Sequence, residues 1–152
     1  MRMKLFLSFV FVALISCVTK IPDHYETEVS LLQKTEYGIV ALKSVGYGNG
    51  KNSATEDAQK KAFFALLYRG IPNSEYSYPL IENEVTFKNN FPNFNETFFK
   101  SGVYKSFIIT NTESSNLINT SKGNKLFLDV TINYEALRRY LEQNSIIRKF
   151  GY

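Results

Sequence analysis

The side chains that do most chemistry near neutral pH are scarce in this chain, which has one Cys (Cys17) and one His (His24) among 152 residues. A four-ligand Cys/His zinc site needs more than these two. A Cys–His nucleophilic pair has no second candidate, and no Gly-x-Ser-x-Gly elbow presents a serine. The stretch Gly46-Tyr47-Gly48-Asn49-Gly50-Lys51-Asn52-Ser53 joins a strand-like run to a helix-like one, where phosphate loops sit. Its spacing fails. A P-loop has Gly where Val45 stands and Ser or Thr where Asn52 stands, and the dinucleotide fingerprint has its third Gly where Lys51 stands. A sharp turn accounts for these glycines. Paired carboxylates need no proximity in sequence, so Glu82, Glu84, Glu96 and Asp129 stay as candidates for glycosidase chemistry. Calcium needs clustered oxygen ligands, and no Asp-rich loop supplies them. The expectation is a non-enzyme that uses no cofactor and no metal.

Cys17 gains meaning from what precedes it. Arg2 and Lys4 form a short cationic start, and Leu5 to Ile15 is apolar apart from Ser8. Eleven helical residues span roughly 16 Å, about half of a bilayer core, which suits the apolar region of a secretory signal rather than a transmembrane helix. Leu14-Ile15-Ser16-Cys17 then resembles the lipobox of bacterial lipoproteins. That resemblance implies cleavage between Ser16 and Cys17 and acylation of Cys17. Residues 1–16 are then the signal peptide, and residues 17–36, containing Pro22 and His24, a polar tether. Loss of Arg2 and Lys4 lowers Lys plus Arg from 18 to 16 against 14 acids. A surplus of about two charges gives no reason to expect nucleic acid as a partner. Two or three acyl chains hold a protein on a membrane without spanning it, since each buried methylene contributes about 0.8 kcal/mol.

The anchored cargo reads as a single α+β domain over residues 37–152. Tyr37 to Val45 has the β-branched and apolar content of a strand, and Gly46 to Gly50 reads as its closing turn. Ser53-Ala54-Thr55-Glu56 has the form of a capping box, predicting a helix from about Ala54 to Arg69 that stops at Gly70. Ala54, Ala58, Ala62 and Ala65 share one face, which lets that helix lie close to a sheet. Residues 71–90 read as loop with a short edge strand at Glu84–Phe87, and Phe91 to Phe99 as a short Phe-rich helix packed as core. Tyr104–Thr112 and Lys125–Asn133 are expected as strands joined by a polar connection. Asn133 caps a last helix carrying Leu137 and Leu141, and Ile146, Ile147 and Phe150 fasten the C-terminus. The expected architecture is a small, mainly antiparallel sheet packed on two main helices and one short Phe-rich helix.

Ser44-Val45-Gly46-Tyr47-Gly48, the Ala-rich helix around Asp57-Ala58-Gln59-Lys60-Lys61-Ala62 and the closing Leu137-Arg138-Arg139-Tyr140-Leu141-Glu142 together resemble small bacterial envelope lipoproteins, most familiar in Bacteroidetes. The strand, Gly-x-Gly and Ala-rich helix over residues 37–69 also resemble modules of a Helicobacter membrane-lipoprotein family and the first domain of a flagellar basal-body T protein. The resemblance implies a lipid-anchored, non-catalytic binding or scaffolding module with an envelope protein as partner. The alternative is a small glycan- or peptidoglycan-binding protein or hydrolase. Val18-Thr19-Lys20-Ile21-Pro22 contains no acid. By the sorting habits of such lipoproteins, that implies the outer membrane, facing the periplasm.

Overall fold

A computed structural model describes residues 28–121 and 123–148. Ser16, Cys17, the signal segment and His24 lie outside the described residues, as does Phe150. The fold is α+β, as the sequence predicts. Five strands run antiparallel in one sheet: β1 (Val29–Gln33), β2 (Ile39–Gly48), β5 (Gly123–Asn133) and β3 (Ile108–Glu113), in that order, with β4 (Ile118–Thr120) also paired to β5. Helix α1 (Lys51–Phe64) packs on one sheet face, joined there by α2 (Glu84–Asn90) and α3 (Tyr134–Gln143).

The centre is the β2–β5 pair, in register from Ile39 opposite Asn133 to Gly48 opposite Asn124. Leu126, Leu128, Val130 and Ile132 of β5 are buried beside Val40 and Leu42 of β2, the alternation that places one face inside. Gly46 and Gly48 belong to this strand rather than to a turn. A Cβ on Gly46 would lie 1.9 Å from the Ala54 carbonyl oxygen and 2.6 Å from the Ala58 amide nitrogen. Bare strand backbone therefore meets bare helix backbone here. Ala54, Ala58 and Ala62 are wholly buried at that contact, and Ser44 donates from Oγ to the Ala58 carbonyl over 2.7 Å.

Helix α1 begins a turn earlier than the capping-box pattern suggests. Gly50 is its N-cap, and Ser53 sits at the third helical position, accepting from the Gly50 amide at 3.1 Å. Glycine tolerates the cap position nearly as well as Ser, so the box shifts by one turn. At its far end α1 widens into a π-helical turn, Ala65–Arg69, closed by the Gly70 amide on the Ala65 carbonyl at 2.7 Å. The widened turn leaves the Leu66 and Leu67 carbonyls to accept from the Leu80 and Ile81 amides at 3.0 and 2.8 Å. Those bonds pull the loop after Pro72 across the core.

Four further segments depart from expectation. Residues 29–33, assigned to the tether, form β1, whose Val29 and Leu31 pack against the core. Glu84–Phe87 is the start of α2 and not an edge strand: Asn83 caps it by accepting from the Thr86 amide at 2.9 Å, and Phe87 turns inward. The Phe-rich segment forms a π-helical turn at Glu96–Lys100 instead of one regular helix, with Phe94 and Phe98 buried and stacked at 5.0 Å. Val103–Phe107 is a 3-10 turn that sends Tyr104 and Phe107, three residues apart, into the same core, so β3 starts only at Ile108.

Candidate functional site

The part of the molecule best furnished for recognition lies where α1, α2 and the Phe-rich segment meet. The three elements enclose a cleft of about 440 Å³. Lys60 and Phe64 come from α1, Lys88 from α2, and Pro92, Asn95, Glu96, Phe99 and Lys100 from the segment between α2 and Gly102. The π-helical turn Glu96–Lys100 supplies Glu96, Phe99 and Lys100 to this lining while Phe98 stays in the core.

The cleft walls are held from behind. The Phe64 ring lies 4.9 Å from that of Tyr68, and the Phe99 ring lies 5.1 Å from Phe98 and 6.0 Å from Tyr104. Tyr68 also donates to the Asn95 side-chain oxygen at 2.9 Å, so the Asn95 group left for other work is its NH2 donor. Burial pushes the Tyr68 phenol well above its ordinary pKa, which keeps it a donor. Burial does the same to Tyr104, assisted by the Glu56 carboxylate, although its hydroxyl has no partner among the described residues.

Each lysine of the cleft is paired to a glutamate one helical turn away: Lys60 with Glu56 at 2.9 Å, Lys88 with Glu84 at 2.8 Å and Lys100 with Glu96 at 3.2 Å. Glu84 is shared with Arg69 at 2.9 Å. Burial alone would raise the Glu84 carboxyl, but its bonds from Lys88 and Arg69 outweigh burial and hold it below the usual carboxylate range. The Lys60 bond likewise lowers Glu56, against a smaller opposing effect of burial, and Lys105 helps. Such surface pairs contribute only about 0.3–0.5 kcal/mol each, so an incoming anion competes with them easily.

The carboxylates weighed for hydrolysis fall on separate elements. Glu84 and Glu96 border the cleft, each with its lysine, and Glu82 is exposed in the loop before α2. Asp129 lies on the sheet face away from α1, 3.9 Å from Lys43 and bonded by Ser114 at 2.9 Å. Sequence reading had the Phe cluster as core, which holds for Phe94 and Phe98. It missed the lysines, whose only signal was three Glu-x-x-x-Lys spacings on separate segments.

A second polar cluster supports the fold. Lys61, nearly buried, bonds Glu28 at 2.6 Å and Asp57 at 3.0 Å and stands 4.6 Å from the centre of the Tyr47 ring. Tyr47 donates its hydroxyl to Glu28 and its amide to Asp57, each at 2.8 Å. Asp57 gives the Tyr47 amide its acceptor, one step past the Val45 amide that bonds the Glu28 carbonyl at 3.0 Å. Every polar group here is engaged, which marks a structural fastening.

No family model matches this chain, and no match was found among curated proteins or solved structures.

Proposed function

We propose that this chain is a lipid-anchored, non-catalytic binding or scaffolding module of the bacterial cell envelope. The observation that carries the reading is the cleft between α1, α2 and the Phe-rich segment, whose lining combines cations, a carboxamide and braced aromatic rings. These groups bind and orient. The Leu14-Ile15-Ser16-Cys17 pattern supports the anchor, and the acid-free Val18-Thr19-Lys20-Ile21-Pro22 after it supports an outer-membrane position facing the periplasm. Eleven residues separate Cys17 from Val29, where β1 begins, so even fully extended the connection reaches at most about 40 Å. The cleft therefore works close to the membrane that holds it, on partners fixed in the envelope.

The test has two parts. Cys17→Ser should abolish incorporation of labelled fatty acid and release the protein from membranes. Persistence of full membrane partition after signal cleavage would remove the anchor from the account. The Cys17→Ser chain, which carries no acyl chains, should still be retained on immobilised delipidated envelope, and adding Lys60→Gln with Lys88→Gln should weaken that retention. Equal retention without the two lysines would take the function away from the cleft.

A further inference from the structure

The cleft lining selects among envelope components by its chemistry. Charge comes first. Lys60, Lys88 and Lys100 ring the concavity, and Arg69 joins Lys88 on Glu84 from outside it. Four cations thus meet three carboxylates, Glu56, Glu84 and Glu96, of which only Glu96 lines the cleft itself. The surplus is positive and is offered by lysine ammonium groups, point charges that accept a carboxylate or a phosphate equally well.

Shape and polarity narrow the choice further. Phe99 is half-buried and braced by Phe98 and Tyr104, so its ring is set before anything binds, while the Phe64 ring is already covered by the Arg69 guanidinium 5.2 Å from its centre. A lone anion needs no aromatic wall, and a volume of about 440 Å³ is far larger than one. A bilayer is flat, and it meets protruding residues before cations that ring a concavity. A sugar ring offers an apolar C–H face for stacking and hydroxyls to accept from Asn95, and an acidic sugar adds the anion.

We propose that this cleft binds an acidic saccharide, its carboxylate or phosphate held among Lys60, Lys88 and Lys100 and its ring face laid on Phe99. The proposal rests on the binding-module reading and names what that module binds. Because the lysines are solvent-facing, affinity falls as salt rises toward the screening regime, where the Debye length drops to about 8 Å at physiological ionic strength.

The experiment is titration calorimetry on the full chain in neutral detergent, with four probes. They are the disaccharide of N-acetylglucosamine and N-acetylmuramic acid, N-acetylglucosamine phosphate, neutral di-N-acetylchitobiose, and phosphatidylglycerol vesicles. At least one acidic sugar should bind at least about tenfold tighter than chitobiose, and the better of the two names carboxylate or phosphate as the anion source. Lys60→Gln with Lys88→Gln should lose at least about tenfold, and Phe99→Ala should weaken binding with the melting transition retained. Lys125→Gln, on the sheet face away from α1, should change nothing. Equal binding of chitobiose, or binding of vesicles with neither acidic sugar, overturns the proposal. If no saccharide binds while the unacylated Cys17→Ser chain is still retained on delipidated envelope through Lys60 and Lys88, the saccharide assignment fails and the binding-module reading stands. If that retention is absent too, both fail.

Discussion

Gly46→Ala is the most severe single-atom test of how α1 sits on the sheet. The added Cβ meets the Ala54 carbonyl oxygen at 1.9 Å, whereas ordinary contacts begin near 3.4 Å, so the helix must retreat by about 1.5 Å. Neither partner is a side chain that can swing aside. A retreat of that size also breaks the Ser44 Oγ bond to the Ala58 carbonyl, now 2.7 Å, and leaves both groups buried. Overpacking costs about 1–3 kcal/mol, and stranding the hydrogen-bonding groups adds about 1–3 more. The expected loss is about 3–5 kcal/mol, a large part of a typical domain's stability of about 5–15 kcal/mol. Urea melts followed by far-UV circular dichroism should show the midpoint falling by roughly 2 M at a typical slope of about 2 kcal/mol per M. Gly50→Ala is the matched control, with an extended backbone and nothing within 4 Å of the new carbon, and should cost less than about 1 kcal/mol. A Gly46→Ala protein within 1 kcal/mol of wild type would refute the close backbone contact.

Three further outcomes follow from the same packing and charges. Ala58→Leu or Ala62→Leu should each destabilise by at least about 1–3 kcal/mol in the same melts, and unchanged melting for both would place that face in solvent. Lys61→Met leaves Glu28 and Asp57 without their shared cation; because both acids are partly solvated, the cost is about 2 kcal/mol, below the range for full burial. A double-mutant cycle of Lys61→Met with Glu28→Gln should give measurable coupling, and additive effects would mean that the pair does not hold β1. The carboxyls of Glu56 and Glu84 lie below their ordinary range, so the stability they contribute is present above the unfolded carboxyl pKa, near 4.3, and is lost as pH falls through their folded values. Thermal melts should be flat across pH 7 to 5 and decline below that, with a shallower acid slope in Glu84→Gln. An identical slope would detach Glu84 from the effect.

How much was legible in sequence depends on whether one stretch of chain carried its own signal. The alternation of Leu126, Leu128, Val130 and Ile132 announced β5 and its inner face, and Ala54, Ala58 and Ala62 announced a helix lying close to a sheet. Asn133 was readable as a cap, and its side chain does accept from the Ala136 amide at 2.9 Å. Gly46 and Gly48 looked like a turn because glycine serves both turns and close approaches, and only the position of α1 above them separates the two uses. The strand at Val29–Gln33 was hidden by its polar surroundings, since an edge strand buries only part of one face. Residues 84–87 alternate like a strand over so short a span that Asn83, the stronger signal, was needed to see a helix. The cleft was least legible. Its lysines lie on three segments spread over forty residues, and each reads locally as half of an ordinary surface ion pair.

If this chain binds through the cleft between α1, α2 and the Phe-rich segment, envelope material should touch Phe99. The most direct measurement replaces Phe99, in the cleft wall, with a photo-crosslinking phenylalanine analogue in living cells, and compares it with the same replacement at Phe127, which lies outside the cleft. Irradiation should couple envelope material to position 99, coupling should drop when Lys60 and Lys88 are both changed to Gln, and position 127 should yield little. Coupling that is equal at the two positions, or that is indifferent to the lysines, would contradict binding through the cleft.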